Sequence, residues 1–301
     1  MGKILNFGSL NLDHVYQVPH FVKPGETLAS TGYACHLGGK GLNQSAALAL
    51  AGADVYHAGK IGTDGRALTE MLNQYQVNTE NVIVGQEKTG HAIIQVDAAG
   101  QNSILLFGGA NRAIEKSEAD RVLKAFSPGD TLVLQNETNV VDHAIRAAKE
   151  KGMRVVLNPS PITRELLDAA LDLVDLFILN EVEAEALTGT SDKRAMGSAM
   201  ARRYPHAAVL LTLGSEGSEY HESGACMHQD AFKVHAVDTT AAGDTFLGYF
   251  VARTAMGETP AQALRLAAAA AALAVTRAGA AQSIPSLAQA REFCGEPYGR
   301  L

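Results

Sequence analysis

The sequence predicts an α/β fold: a mostly parallel central sheet covered by helices on both faces, a three-layer α/β/α sandwich, with a small β-sheet beside it. Three observations predict it. From about residue 117 onward, short apolar runs alternate regularly with helix-like runs, and runs such as Val209-Leu210-Leu211 are apolar throughout, as strands buried on both faces must be. The polar clusters of that half fall just beyond the carboxyl ends of those runs, where open parallel sheets bind ligands. These clusters are Asn158, Asn180, Thr212 to Gly217 and Asp238 to Asp244. Finally, His91 to Asp97 and Asn102 to Phe107 flank Ala98-Ala99-Gly100-Gln101 and read as a hairpin, which joins extended pieces between residues 10 and 38 in a sheet apart from the main body.

Along the chain, Lys3 to Gly8 reads as a first buried strand, and Val15 to Val18 continues as extended chain before the Lys23-Pro24-Gly25 turn. Thr27 to Leu37 is again strand-like. Gly38-Gly39-Lys40-Gly41-Leu42-Asn43-Gln44 then leads into a helix at Ser45 to Ala51, a strand at Val55 to Ile61 and a helix at Ala67 to Tyr75. The regular alternation that follows has helices at Ser117 to Phe126, Val140 to Lys151, Glu181 to Leu187 and Arg194 to Tyr204. Its strands are Thr131 to Leu134, Arg154 to Leu157, Leu176 to Leu179 and Ala207 to Leu213. A strand-like run, Ala231 to Val237, precedes a long helix beginning near Ala242. No repeat, low-complexity linker or long charge run divides the chain, so residues 1–301 are expected to form one body with the small sheet appended from about 10–38 and 90–110.

Composition excludes several classes of function. A hydrophobic content of 47% over 301 residues is ample for a buried core. A net charge of −7, with no basic run interleaved with aromatics, gives no nucleic-acid footprint. The start of the chain moves directly into a strand pattern without the features of a signal peptide, which predicts a cytoplasmic protein. Cys35, Cys226 and Cys294 are far apart and odd in number, and read as free thiols rather than a disulfide framework or a zinc site. The alanine-rich run Leu264 to Val275 is too short to cross a bilayer and reads as a helix packed inside the protein; no membrane partner is expected.

The stretch that carries the chemistry is Asp238-Thr239-Thr240-Ala241-Ala242-Gly243-Asp244-Thr245-Phe246. Its small residues allow a tight turn where a helix starts, and such a junction points unpaired N–H groups and the positive end of a helix dipole into one place, as an anion site does. Asp244 in the first turn is either a carboxylate stabilising the dipole or a general base beside a bound phosphoryl group. Gly38-Gly39-Lys40-Gly41 has neither the spacing of a P-loop nor that of a dinucleotide fingerprint; it is a plain turn or a loop that lets a ligand reach the backbone, with Lys40 and Asn43 as donors. Asn11 and Asp13, after the first strand, are turn formers or a pair gripping neighbouring sugar hydroxyls. Asn180 and Glu183 open a helix in the ordinary way or organise nucleotide phosphates through metal and water. Glu137 lies just beyond a buried strand. All of them fall at one edge of the sheet.

Together, Gly38 to Gln44 and Asp238 to Phe246 closely resemble the paired signatures of the ribokinase group of carbohydrate kinases, the PfkB family. Asn158-Pro159-Ser160-Pro161, Asn180 to Glu185 and Thr212 to Gly217 follow the family's order between them, so the resemblance covers essentially the whole chain. It implies ATP-dependent phosphorylation of a sugar hydroxyl, the 5-hydroxyl of D-ribose first. Asp244 would be the base, and the backbone of Ala241, Ala242, Gly243 and Asp244 the anion hole. Asn11, Asp13, Gly39, Lys40, Asn43 and Glu137 would contact the sugar. Asn180, Thr212, Gly214, Ser215, Gly217 and Gly243 would contact ATP, with magnesium on its phosphates and Glu183 in the outer shell of that ion. A potassium ion would be held mostly by backbone carbonyls among Thr240, Ala274, Arg277, Gly279 and Ser283, with Asp238 as charged ligand. The small sheet would be a lid that closes over the sugar and forms a homodimer by lid-to-lid contact. Asn136 and Arg112 depart from the family pattern and leave deoxyribose, a ketohexose or a nucleoside as alternative substrates. Leu266 to Ala269 offers adenine only apolar contacts, and Gly279 to Pro285 departs from the usual loop. A regulator that binds sugar without turnover is the alternative of another class.

Overall fold

The structure, a computed structural model, describes residues 2–295; Met1 and residues 296–301, the two ends of the expected 1–301 body, lie outside the described residues. Nine strands form the large sheet: β1 (Ile4–Phe7), β4 (Val55–Ile61), β5 (Asn78–Val84), β8 (Thr131–Gln135), β9 (Arg154–Asn158), β10 (Leu176–Asn180), β11 (Ala208–Thr212), β12 (Ser218–Glu222) and β13 (Ala225–Gln229). Their order is β13-β12-β11-β10-β9-β8-β1-β4-β5, parallel except for the last hairpin at the β13 edge. The small sheet has four strands, β2 (Asn11–Gln17), β3 (Gly32–Gly38), β6 (Gly90–Val96) and β7 (Asn102–Phe107), in the order β3-β2-β6-β7. Ten α-helices are present among the described residues: α1 (Lys40–Leu50), α2 (Arg66–Gln74), α3 (Lys116–Leu123), α4 (Val141–Glu150), α5 (Arg164–Leu167), α6 (Glu181–Thr188), α7 (Lys193–Arg203), α8 (Ala242–Ala255), α9 (Pro260–Ala274) and α10 (Leu287–Phe293).

The central strands serve two cores at once. Because side chains alternate across a strand, Ile4, Val133, Val156, Ile178 and Leu210 join the core on the α1, α8 and α9 side. Their neighbours Leu5, Leu132, Val155, Phe177 and Val209 join the opposite core against α3, α4 and α7. The alanine-rich run forms the last part of α9, with Val275 as its C-cap, and most of it is buried, Arg265 being exposed. Small residues also set the approach of α1 to α8. A Cβ added to Gly248 would lie 2.3 Å from Ala47 Cβ and 2.8 Å from Leu48 N. Four residues earlier on each helix the same faces carry Asp244 and Asn43, so this close packing draws the two together.

Some expectations need correction. Ala231 to Val237 forms no strand: its alternating pattern is suitable, but no neighbouring strand pairs with it, and Val237 N and Asp238 N donate instead to Val275 O at 2.7 and 3.2 Å. Helix α1 starts at Lys40, five residues before the expected Ser45, because Gly39 at φ +98° turns the chain directly into it. The extended pieces shift as well, β2 beginning at Asn11 and β3 at Gly32. Strands β5, β12 and β13 had not been expected; two lie at sheet edges and β12 beside one, and their polar faces hide the pattern. No helix among the described residues is long and apolar enough to cross a membrane.

Candidate active site

The chain leaves β1 for β4 on one side and later comes back to β8 on the other, so the connections diverge between β1 and β8 and open a crevice at their carboxyl ends. Ser9 follows β1 and Glu137 follows β8, and they meet there: Ser9 Oγ donates to the Glu137 carboxylate, which also accepts Lys40 N–H at 3.2 Å. Gly41 N–H donates to Ser9 Oγ at 3.3 Å. The glycines of the 38–41 loop make this approach possible. A Cβ on Gly41 would lie 2.4 Å from Ser9 N, and one on Gly38 would lie 2.1 Å from Asp13 Oδ2.

The small sheet delivers Asn11 and Asp13 from β2. Asn11 is buried, and its Oδ1 accepts from Asn111 Nδ2 at 2.8 Å, while Asn111 is itself tied to the backbone of Leu10. Burial, and after it the charge of Glu137, pushes the Asp13 carboxyl up to about 6. Burial likewise raises Glu137, although Ser9 and Lys40 oppose it. The charge of Asp244 raises Lys40 against desolvation, with Glu137 and Glu183 adding to it. One ammonium thus stands among three carboxylates.

At the amino end of α8, Ala241 takes a left-handed conformation, φ +60°, and the helix begins at Ala242. A Cβ added to Gly243 would meet no atom within 4 Å, so the space over this turn is open. Among the described residues, the N–H groups of Gly243 and Asp244 have no protein acceptor, as expected for a first helical turn. Asp244 is 8% exposed, with Oδ1 accepting from Gln44 Nε2 at 2.9 Å and Oδ2 from Asn43 Nδ2 at 3.1 Å. Both carboxylate oxygens are held by α1. The oriented N–H groups can stabilise an anion, and the fixed carboxylate can accept a proton beside it.

Farther along the same edge, Asn180 and Thr212 are register partners at the ends of β10 and β11. Asn180 and Glu183 form a reciprocal cap: Asn180 Oδ1 accepts Glu183 N–H at 3.0 Å and Glu183 Oε2 accepts Asn180 N–H at 3.0 Å. The ordinary helix chemistry of this motif is therefore present, while the charge of Glu183 still reaches Lys40. Gly214 and Gly217 adopt φ +57° and +101° around Ser215, forming an open loop after β11. Asp238 Oδ1 accepts Thr240 N–H at 2.9 Å and its Oδ2 accepts Gly279 N–H at 3.0 Å, and these hydrogen bonds outweigh desolvation to hold its pKa below the usual range. Ala274 and Arg277 lie on the segment that Gly279 belongs to, joined by an Arg277 N–H to Ala274 O bond of 3.1 Å, and Ser283 Oγ donates to Ala280 O at 2.8 Å.

The structure also involves residues to which the sequence assigned no role. Gln44 lies inside the Gly38 to Gln44 signature, while Ser9 stands two residues before Asn11 and Asn111 just before Arg112, so only their position hinted at them. The two departures turn elsewhere, Asn136 to Pro161 O and Thr163 Oγ1 at 2.6 and 3.1 Å, and Arg112 to Thr138 O at 3.2 Å. Cys35 and Cys226 are exposed and Cys294 is buried. Cys226 Sγ lies 3.6 Å from His221 Nε2, which pairs with Glu219 at 2.9 Å, on the far β12–β13 edge. A cavity of about 500 Å³ lined by Lys149, Arg154 and Asp175 opens at the amino ends of the strands, away from this site.

Comparison with known proteins agrees with the geometry. The family model described as pfkB family carbohydrate kinase matches residues 1–287. The chain is 39% identical over 295 residues to a ribokinase of Haemophilus influenzae, covering 95% of this chain and 96% of that one. It is 34% identical over 296 residues to a deoxyribokinase of Salmonella typhi, with 95% and 96% covered. A structure of Arabidopsis thaliana ribokinase complexed with ribose and ATP superposes with a TM-score of 0.86 at 32% identity, covering 98% of this chain and 99% of that one. A crevice at the strand ends, a carboxylate at an open helix start and matches of this extent have one common explanation: the chain belongs to the PfkB family of carbohydrate kinases.

Proposed function

We propose that this chain is a ribokinase, transferring the terminal phosphate of ATP to the 5-hydroxyl of D-ribose. One observation carries the reading: Asp244 stands beside the open N–H groups of Gly243 and Asp244, with both its oxygens held in place. The sugar lies between Asn11, Asp13, Gly39, Lys40, Asn43 and Glu137, with its 5-hydroxyl toward Asp244. Asn43 supports this placement: its Oδ1 is buried without a partner among the described residues, and such an acceptor takes a hydroxyl donor. Asp244 accepts the hydroxyl proton as the oxygen bonds to the terminal phosphorus of ATP and the bond from that phosphorus to the bridging oxygen breaks, releasing ADP. The N–H groups from Ala241 to Asp244 stabilise the charge gathering on the transferred group, and Lys40 balances the charge of the carboxylates.

ATP lies along Asn180, Thr212, Gly214, Ser215, Gly217 and Gly243. Magnesium supplies charge neutralisation on its phosphates, with Glu183 in the outer shell; a carboxylate has about four lone-pair sites, so the cap to Asn180 leaves oxygen for water. Potassium fits the seam between 238–240 and 274–283, where the Asp238 carboxylate accepts the N–H groups of Thr240 and Gly279. The donor set there, Asp238 with carbonyls of Thr240, Ala274, Arg277, Gly279 and Ser283, suits a large ion of low charge. The small sheet acts as lid to the single 1–301 body and as dimer interface. Tyr33, Ile104, Leu105, Leu106 and Phe107 are exposed apolar groups on it, a concentration that a second subunit would cover. We place the enzyme in the cytoplasm.

The kinship with a deoxyribokinase favours one second reading, deoxyribose as substrate. An ATP-consumption assay over ribose, deoxyribose, 5-deoxyribose, a ketohexose and a nucleoside tests both. Ribose should give the highest kcat/KM, and 5-deoxyribose, lacking the acceptor oxygen, no turnover. Higher kcat/KM on deoxyribose would replace the first reading by the second, and no turnover with any of them would make the chain a sugar-binding regulator.

A further inference from the structure

Gln44 is one of two side chains on the Asp244 carboxylate, and which end of its amide faces Asp244 follows from backbone groups that can act in one way only. Asn6 lies on β1 with one amide atom 2.8 Å from Gly41 O. A carbonyl oxygen only accepts, so that atom is Nδ2, and Asn6 Oδ1 faces Gln135 at 2.8 Å. Gln135 therefore presents Nε2, and the same Nε2 lies 2.7 Å from Gln44, whose facing atom must be Oε1. Gln44 Nε2 is then left facing Asp244 Oδ1 at 2.9 Å.

A second anchor reaches the same answer from the other side. Asn158 Nδ2 donates to Ile178 O at 2.9 Å, which turns Asn158 Oδ1 toward Gln44 Nε2 at 3.3 Å. The chain also closes at its far end, where Asn6 Nδ2 donates to Ser45 Oγ at 2.8 Å and Ser45 Oγ lies 2.8 Å from Nδ1 of the fully buried His57. Both N–H bonds of Gln44, Gln135 and Asn6 are thus used, and Asn6, Gln44, Ser45, His57 and Gln135 are each 0% exposed. Turning over any one amide would set oxygen against oxygen at a Gly41 or Ile178 carbonyl or at the next amide, without water to relieve it.

We propose that Gln44 is a positioning residue for Asp244, and that Gln135 and Asn6, which touch neither Asp244 nor the crevice, set the direction of its amide. The arrangement does two things for the base. It holds the carboxylate plane in one orientation, so that the free lone pair on each oxygen points in a fixed direction. It also presents donors alone to Asp244 from the protein side, so the proton it accepts has to come from the open side, where the acceptor hydroxyl arrives. The inference rests on reading Asp244 as the base.

Gln44→Met, Gln135→Met and the double variant test it, since methionine matches glutamine in length and removes both donors. Gln44→Met should lower kcat by about 10–100-fold, the effect of losing one hydrogen bond to a charged group, and Gln135→Met, which frees the Gln44 amide to turn, should lower it by no more than that, with sugar affinity measured by calorimetry unchanged in both. The double variant should be no slower than Gln44→Met, because Gln135 acts only through Gln44. Multiplying effects, or normal kcat in either single variant, would overturn the proposal. A measurement on the unsubstituted protein stands beside these: the Gln44 side-chain N–H protons should exchange slowly with solvent, and Asp244→Asn should move the resonance of one of them. Rapid exchange of both protons with solvent would equally overturn it. Near-normal turnover of Asp244→Asn would instead remove the base itself, which keeps the two failures apart.

Discussion

Asp13→Asn should stabilise the free protein while weakening its hold on sugar, and by an amount that depends on pH. Unfolded, this carboxyl titrates near 3.8; in the fold, burial first and the Glu137 charge second push it to about 6. Between those values the folded chain keeps a proton that the unfolded chain releases, so folding loses stability as pH rises. The cost is absent below the unfolded value and complete above about 6. The separation from 3.8 to about 6, at about 1.36 kcal/mol for each factor of ten, makes the full cost about 3 kcal/mol, and about half of that at pH 5. With about 2.1 cal/mol/K of unfolding entropy per residue over 301 residues, removing it should raise Tm by about 5 °C at pH 8 and by about half as much at pH 5. Thermal melts of both proteins at the two pH values, without ligand, measure this. Calorimetry at pH 8 should show sugar binding weakened far more than ATP binding, since the amide offers a donor where the ionised carboxylate accepted. A variant Tm equal to or below that of the unsubstituted protein at pH 8, or a gain independent of pH, would refute the reasoning.

Asp244→Asn keeps the shape of the side chain and removes the base, so kcat should fall ~10²–10⁴-fold with sugar affinity largely retained; initial rates and calorimetry decide. Turnover should rise with potassium over sodium at constant ionic strength, and Asp238→Ala should abolish that response. Equal rates in potassium, sodium and a bulky organic cation would show that the 238–244 backbone needs no ion to aim the N–H groups of Gly243 and Asp244. Leu105→Lys, at an exposed position of β7, should shift a homodimer toward monomer in sedimentation velocity. A monomer at every concentration in the unsubstituted protein would remove the dimer and leave the lid.

The parallel sheet, the hairpin of the small sheet and the turn into a helix at Ala242 were all legible in the sequence because each rests on local pattern. Apolar runs such as Val209-Leu210-Leu211 announce a strand buried on both faces wherever they occur. Small residues before a helix announce an open turn, and Asn180 with Glu183 is a cap whatever surrounds it. What depends on a distant partner could not be read in this way. Ala231 to Val237 has the pattern of a strand but no strand beside it, whereas polar β12 and β13 become strands because β11 is there to pair with. Asp13 and Glu137 lie 124 residues apart in sequence, and only the fold brings their charges close enough to raise one of them. Gln44 reaches Asp244 across 200 positions, and Gln135 reaches Gln44 across 91. A lone glutamine carries no periodicity that tells a surface amide from a buried one. Its direction was decided by tertiary structure alone, because a hydrogen bond has a donor and an acceptor end, and in a core without water the fixed carbonyls of Gly41 and Ile178 leave every amide between them a single way to face.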